Sequence, residues 1–327
     1  MTRTAAFGLL FGLAVAVAAA LGARAAADDY PQHTVTFICP FPAGGGTDIL
    51  TRMLAAELQD QLKQPFIVEN RTGAGTQIAA SVVAKSAPDG HMLLLAPVTT
   101  LAIGPSVYKS LPYDTVRDFA PVGLVGSAEF ALVAHPALDA ATLPELIALI
   151  KRRPGELSYG SSGRSTPHHL FMEMFLKMIG GRAQHVPYRG SVPALADVVA
   201  GQIQLMMVDL AAAIPMIEAG KVKVYGVASA SRVNAVPDIP TIAEAGLPGY
   251  GANGWFSVVA RAGTPRSAID KLNAVLMPYL RRADVGERLT TLAINPLTST
   301  PDELEKFIPA EIAKWAQVVS DAGITPE

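Results

Sequence analysis

An apolar strand that runs through a glycine-rich turn directly into an amphipathic helix is the feature that most constrains the fold of this chain. The segment reads Ile38-Cys39-Pro40-Phe41-Pro42-Ala43-Gly44-Gly45-Gly46-Thr47-Asp48. Its glycines let a ligand approach the backbone, and the helix that follows points its unpaired N–H groups and the positive end of its dipole at that ligand. No Gly-Lys-Ser/Thr follows, which excludes a P-loop and favours a small anion such as a carboxylate over a nucleotide.

Strands and helices alternate along the rest of the chain, which predicts an α/β fold with parallel sheets. The sequence shows no long linker, low-complexity tract or repeat, so strands that cross between two lobes must make any domain division. Thr-Pro pairs at 166, 264 and 300 are typical of a helix N-cap followed by proline at the first helical position. The apolar segments that we interpret as strands are residues 35–39, 66–69, 92–96, 130–134, 158–159, 203–208 and 222–228.

The first 27 residues are interpreted as a secretory signal peptide. Arg3 precedes an apolar run at residues 5–21, and small residues at Ala25 to Ala27 supply a cleavage site. A membrane anchor is the alternative, but the run is shorter than the ~20 residues that span a bilayer. We therefore expect a soluble protein after cleavage near Ala27.

Composition excludes several kinds of partner. Removal of the leader changes the formal net charge from −2 to −4, so no basic surface for nucleic acid or acidic membranes is expected. The single cysteine, Cys39, cannot form an internal disulfide and fits a buried strand position.

The patterns of catalysis and of cofactor binding are incomplete. Gly160-Ser161-Ser162-Gly163 lacks the G-x-S-x-G spacing of a nucleophile elbow, so an exported hydrolase using Ser162 with His168 or His169 is only an alternative. His169 and Glu173 lie at i,i+4 but have no third metal ligand at diagnostic spacing. Gly73-x-Gly75 lacks the third glycine of a dinucleotide fingerprint. We expect no catalytic residues, no metal and no cofactor.

Several polar loops follow strands and are suited to holding a small ligand by hydrogen bonds. In open α/β sheets ligands bind beyond the carboxyl ends of the strands, so these loops should meet at one cleft. They include residues 42–46, 73–76, 97–100, 161–166 and 187–190, together with Asp209.

A series of motifs resembles one family across nearly all of the mature chain: the Bug receptors, also called TctC-like proteins. These are extracytoplasmic solute-binding receptors of tripartite tricarboxylate transporters. The motifs are Pro42-Ala43-Gly44-Gly45 with Asp48, Val68-Glu69-Asn70-Arg71-Thr72-Gly73-Ala74-Gly75, Pro88-Asp89-Gly90, Leu111-Pro112-Tyr113-Asp114, Tyr159-Gly160-Ser161-Ser162-Gly163, Val186-Pro187-Tyr188-Arg189-Gly190 and Ala243-Glu244-Ala245-Gly246-Leu247-Pro248-Gly249-Tyr250.

The resemblance implies a two-lobed periplasmic binding protein of type II-like fold, each lobe a mostly parallel sheet flanked by helices, with the ligand cleft between the lobes. We expect a discontinuous first lobe at residues 28–122 and 250–327, a second lobe at 123–249, and hinge strands near 121–125 and 255–260.

The resemblance also implies a ligand and partners. Family ligands are small carboxylates, including di- and tricarboxylates, acidic amino acids and aromatic acids. The expected partners of this monomer are the membrane subunits of a transporter. The alternative is an interaction protein that presents the loaded receptor to a membrane sensor kinase.

The proposed ligand contacts come from both lobes. The loop at residues 42–46 would capture a carboxylate, and Ser161, Ser162 and Thr166 would close on it from the other lobe. Arg164 would hold a second carboxylate through its guanidinium, although a solvated rim position is equally open for it and for Arg189. The predicted ligand-binding residues are Phe41, Pro42, Ala43, Gly44, Gly45, Gly75, Thr76, Thr99, Thr100, Ser161, Ser162, Arg164, Ser165, Thr166, Tyr188, Arg189 and Asp209.

Overall fold

Two β-sheets flanked by helices carry the hydrophobic cores of the protein. The computed structural model describes residues 30–326, so the predicted signal peptide lies outside the described residues. The strands are β1 (Val35–Cys39), β2 (Phe66–Asn70), β3 (Met92–Pro97), β4 (Phe119–Ala128), β5 (Phe130–Ala134), β6 (Ser158–Ser161), β7 (Gln184–Pro187), β8 (Leu205–Asp209), β9 (Lys223–Val227), β10 (Gly254–Arg261) and β11 (Ile294–Asn295).

The first sheet has the strand order β11-β4-β10-β3-β1-β2, and the second has the order β7-β6-β8-β5-β9. The predicted two-sheet α/β binding-protein fold is confirmed, but both sheets are mixed. The parallel pairs join β1 to β2 and β3, and β6 to β7 and β8. β10 runs antiparallel to β3 and β4 because it enters the first sheet at the edge where β4 leaves it, with Gly254 paired to Ala128.

The chain passes between the two sheets at two places. Glu129 alone separates β4 from β5, and residues 228–253 lead from β9 back to β10. The predicted lobe limits at 122/123 and 249/250 stay a prediction. We propose that each lobe corresponds to one sheet with its helices, which would place the changes of lobe at these two crossings.

Eleven α-helices lie among residues 30–326, and two of the three Thr-Pro pairs mark a helix start as predicted. Thr166 and Thr300 are N-caps followed by proline, as expected, whereas Thr264 is not, because Pro265 takes the N-cap position. The helices are α1 (Gly46–Leu62), α2 (Gln77–Ala84), α3 (Gly104–Val107), α4 (Leu143–Arg152), α5 (Pro167–Ile179), α6 (Ser191–Val199), α7 (Leu210–Glu218), α8 (Ile242–Ala245), α9 (Arg266–Leu280), α10 (Ala283–Thr290) and α11 (Pro301–Asp321).

The C-terminal helix α11 is fixed to the first sheet by a buried carboxylate. Glu311 accepts hydrogen bonds from the indole N–H groups of Trp255 on β10 and Trp315 on α11, at 2.9 and 3.0 Å. Both indoles are fully buried. Since a buried N–H without an acceptor is destabilising, this carboxylate connects helix and strand at a defined position. Among residues 30–326, no helix has both the length and the apolar character needed to cross a bilayer.

Candidate functional site

A cavity of about 360 Å³ lies between the two sheets. It is next to the end of β4 and the start of β10, where the chain passes from one sheet to the other. The first sheet and its loops contribute Phe41, Thr47, Thr76, Thr99 and Tyr108 to its wall. The second contributes Ser162, Arg164, Thr166, His168 and Asp209. A ligand in this cavity would therefore contact both sheets at once.

The glycine-rich loop before α1 is organised by a carboxylate of its own. Asp48 accepts hydrogen bonds from the Gly44 N–H (2.9 Å), the Asn70 amide (2.8 Å) and the Arg52 guanidinium (3.0 Å). Burial alone would raise the pKa of Asp48, but these donors together lower it below its usual value. The Gly44 N–H thus already has an acceptor within the protein. In the first turn of α1, Thr47 is the residue that lines the cavity.

A hydrogen-bonded chain of three side chains forms the opposite wall. The Ser162 hydroxyl lies 2.8 Å from Nδ1 of His168, and Nε2 of His168 lies 2.8 Å from Oδ2 of Asp209. His168 stands in the first turn of α5, and Asp209 ends β8. Burial acts to raise the pKa of Asp209, but its contact with His168 brings the net pKa below the usual value.

Arg164 is an exposed cation on the rim of the cavity. Within the described residues it forms no ion pair, in contrast to Arg52 and Arg71 in the first sheet, which pair with Asp48 and Glu69. Its guanidinium is therefore available for a charged ligand group.

A second, polar cavity of about 320 Å³ shares Arg164 and Ser165 with the first. The rings of His169 and His185 stack there with centroids 3.9 Å apart. Burial, reinforced by the positive charge of Arg164, lowers the pKa of His169 to about 3 and that of His185 to about 4. Both rings are neutral at neutral pH.

His169 and Glu173, the i,i+4 pair for which the sequence offers no third metal ligand, both have partners within the protein. Nε2 of His169 lies 3.9 Å from Glu173, and Glu173 accepts a hydrogen bond from the Tyr159 hydroxyl. Burial raises the pKa of the Glu173 carboxyl. These contacts engage His169 and Glu173 within the protein instead of leaving both free to bind a metal ion.

Nine of the predicted ligand-binding residues line the main cavity, and they come from both sheets: Phe41, Gly75, Thr76, Thr99, Ser162, Arg164, Ser165, Thr166 and Asp209. The remaining eight do not line it. Thr100 bonds Thr76, Ser161 bonds His185, and Tyr188 bonds Asp197, so these three hydroxyl groups are used inside the protein. The others are Pro42, Ala43, Gly44, Gly45 and Arg189.

Sequence reasoning missed most of the apolar wall, of which only Pro97 and Val98 lie in a loop that it singled out, residues 97–100. The other members lie on strands and helices where an apolar residue looks like ordinary core, so no local pattern distinguishes them from core residues. His168 was considered only as part of an alternative hydrolase. The apolar wall comprises Pro97, Val98, Ile103, Val107, Ala128, Phe130, Pro167, Gly254, Trp255 and Phe256.

Comparison with known proteins agrees with this architecture. Residues 50–324 match the tripartite tricarboxylate transporter family receptor, TctC. Protein BugT of Bordetella pertussis is 37% identical over 324 residues, 99% of this chain and 98% of the relative. The chain belongs to the TctC family. It is therefore a receptor rather than an enzyme, and the Ser162–His168–Asp209 chain has to be explained as part of a binding site.

Solved structures of TctC-family relatives share the fold. The R. palustris protein Rpa4515 with adipate is 36% identical, has a TM-score of 0.78 and covers 91% of this chain and 100% of its own. MatC from Rhodopseudomonas palustris with bound malate is 33% identical, with a TM-score of 0.73 and coverage of 89% and 100%. Carboxylates thus occupy relatives of this receptor.

Proposed function

We propose that this TctC receptor captures a small dicarboxylate with an apolar carbon chain in the periplasm and delivers it to the membrane subunits of a tripartite tricarboxylate transporter. The observation that carries the proposal is the composition of the cavity wall. Apolar side chains make up much of the wall, and groups able to bind carboxylates line it from both sheets.

One carboxylate would be held at the start of α1. The first-turn N–H groups of this 17-residue helix have no partner within the helix, and its dipole favours an anion there. Asp48 already neutralises part of this charge at Gly44, so the ligand is expected at Thr47 and Phe41, which line the cavity.

The second carboxylate would be held from the other sheet by Arg164 and Ser162. Arg164 has no ion pair among residues 30–326, and a guanidinium presents two parallel N–H donors to a carboxylate. Thr166 donates its hydroxyl to Gly163, which fixes the loop that carries both residues.

The body of the ligand would lie against Val98, Phe130, Trp255 and Phe256. Burial of apolar surface contributes about 25 cal/mol per Å² before association entropy is subtracted. A methylene chain can pack against this apolar wall without losing hydrogen bonds. A ligand hydroxyl placed there would lose its hydrogen bonds to water. We therefore favour an adipate-like diacid over a short hydroxylated one for this chain.

The test is a comparison of three matched acids. Ligand-free protein is titrated calorimetrically with adipate, with hexanoate (the same carbon chain with one carboxylate) and with malate. We expect adipate to bind most tightly and, at a hundred times its Kd, to raise the unfolding free energy by ~2.7 kcal/mol. Binding of malate alone would contradict the proposed chain preference, and binding of none of the acids would contradict carboxylate capture.

A further inference from the structure

A hydroxyl can serve a ligand carboxylate only as a donor, and the partners of Ser162 determine whether it is free to donate. Its oxygen lies 2.8 Å from Nδ1 of His168, whose Nε2 lies 2.8 Å from a carboxylate oxygen of Asp209. A carboxylate accepts hydrogen bonds only, so Nε2 carries a proton in this arrangement. The state of Nδ1 then sets the direction of the Ser162 O–H.

A neutral His168 leaves Nδ1 as an acceptor. The Ser162 hydroxyl then donates to the ring, and the cavity sees only the lone pairs of its oxygen, which repel a carboxylate. A protonated His168 reverses the direction, because Nδ1–H donates to the Ser162 oxygen and the hydroxyl proton turns to the ligand.

We infer that His168 and Asp209 couple carboxylate capture to the uptake of one proton, with Ser162 as the group that passes the change to the ligand. The proton comes from solvent and binds Nδ1 of His168; no covalent bond changes. Asp209 stabilises the resulting imidazolium, and the two are positioning residues for the Ser162 donor. This inference rests on the proposed function.

The surroundings of His168 favour this coupling. His168 is 7% exposed, and its ring makes a T-shaped contact with that of Phe130 at a centroid distance of 5.1 Å. Water therefore cannot readily replace Ser162 and Asp209 as its hydrogen-bond partners. Arg164 lines the same cavity, and the negative charge of a ligand carboxylate held there would stabilise an imidazolium at His168. Ligand and proton therefore enter together.

Other titratable groups near α5 have partners of their own. Tyr108 lines the same cavity as His168. On α5 itself, Glu173 accepts a hydrogen bond from Tyr159 and Lys177 pairs with Asp321. On α11, which packs against α5, Glu311 pairs with Lys314. His169 and His185 stack on each other, and both keep lowered pKa values. Asp209 is thus the carboxylate that contacts His168.

The first test needs no ligand. Nitrogen-15 NMR of the ligand-free protein at about pH 8 reads which ring nitrogen of His168 carries the proton. We expect the Nε2–H form with Nδ1 as an acceptor. A ring protonated on Nδ1 alone would overturn the inference.

The second test counts protons. Adipate is titrated calorimetrically at about pH 7.5 in buffers of different ionisation enthalpy, and the dependence of the binding enthalpy on the buffer gives the protons taken up. We expect uptake approaching one, and a Kd that weakens as the pH rises. An enthalpy identical in all buffers would overturn the inference.

The variants His168→Gln and Asp209→Asn should remove most of this uptake, whereas His33→Gln, which changes an exposed histidine outside the cavity, should retain it. Uptake that persists in His168→Gln would also overturn the inference. If adipate does not bind to the unaltered protein, the proposed function fails for this acid. The NMR measurement on ligand-free protein then tests the hydrogen-bonded chain of Ser162, His168 and Asp209 without it.

Discussion

The carboxylate of Asp48 accepts a hydrogen bond from the backbone N–H of Gly44, four residues earlier, at 2.9 Å. The glycine-rich loop at residues 42–46 is therefore bonded to α1 in the absence of a ligand. Because Arg52 and Asn70 donate to the same carboxylate, two further contacts hold this group, whose side chain is 3% exposed. Preorganisation of this kind lowers the entropy lost when a ligand binds.

Replacement of this carboxylate should lower stability in a pH-dependent way. The pKa of Asp48 is below its usual value in the folded protein, so its contribution is present above the unfolded pKa of about 3.9 and is lost as the pH falls through the folded value. At neutral pH we expect Asp48→Asn to reduce the free energy of unfolding by about 1–3 kcal/mol, measured by chemical denaturation.

The matched control is Asp60→Asn in the same helix, where the carboxylate is exposed and pairs only with Lys63. It should change the free energy of unfolding by less than ~0.5 kcal/mol. A loss for Asp48→Asn that is equal at neutral pH and below about pH 3 would contradict the role of the charge.

Arg164 should distinguish diacids from monoacids. Arg164→Gln removes an unpaired cation from the cavity rim, and a charge-assisted hydrogen bond is worth about 1.5–3 kcal/mol, so the Kd for adipate should rise by roughly tenfold or more. The Kd for hexanoate should change much less. Arg189→Gln is the control, because Arg189 lies outside the cavity lining; equal effects of the two variants on adipate binding would refute the assignment.

Tryptophan fluorescence should report on ligand binding through one of the two indoles. The protein has two tryptophans, and Trp255 lines the cavity whereas Trp315 does not. We expect adipate to change the emission of the unaltered protein and of Trp315→Phe, and Trp255→Phe to lose most of that change. A response that follows Trp315 would place the ligand elsewhere.

Glu129, the single residue between β4 and β5, should make stability fall as the pH rises. Burial raises its pKa, its Oε1 accepts from Ser127 and Asn295, and its Oε2 has no hydrogen-bond partner. A carboxyl with a raised folded pKa costs stability as the pH rises from its unfolded value of about 4.3 through its folded value. Glu129→Gln removes that cost.

Unfolding free energies at about pH 5 and about pH 8 measure the effect. Relative to the unaltered protein, Glu129→Gln should be more stable at the higher pH than at the lower one. The exposed Glu218→Gln is the control and should show no such trend. A difference independent of pH would show that Glu129 keeps one protonation state throughout.

The regular part of the fold could be predicted from sequence because it depends on local periodicity. The strand at Val35–Cys39 and the helix start at Thr166 follow from apolar runs and from Thr-Pro, both readable within a few residues. The antiparallel position of β10 could not be predicted in this way, because it depends on where the chain re-enters the first sheet.

The polar residues of the cavity wall could be predicted from the sequence, whereas most of its apolar residues could not. Ser162, Arg164 and Asp209 stand out because polar and charged side chains follow strands, and all three line the cavity. Val107, Phe130 and Phe256 look like core residues in the sequence, since burial against a ligand and burial against the protein select the same side chains. The contact of His168 with Asp209 joins residues 41 positions apart, beyond any local pattern.

The position of β10 between β3 and β4 has a consequence for the order of assembly. β10 forms hydrogen bonds to both of its neighbours, and it comes from residues 254–261. While the polypeptide is still emerging, β4 can pair with neither β10 nor β11, since both come later in the chain. Pairings between distant segments form slowly because loop closure must come first. The first sheet thus stays incomplete until residues 254–261 have been synthesised, so β3 and β4 must remain without their shared strand partner for most of synthesis.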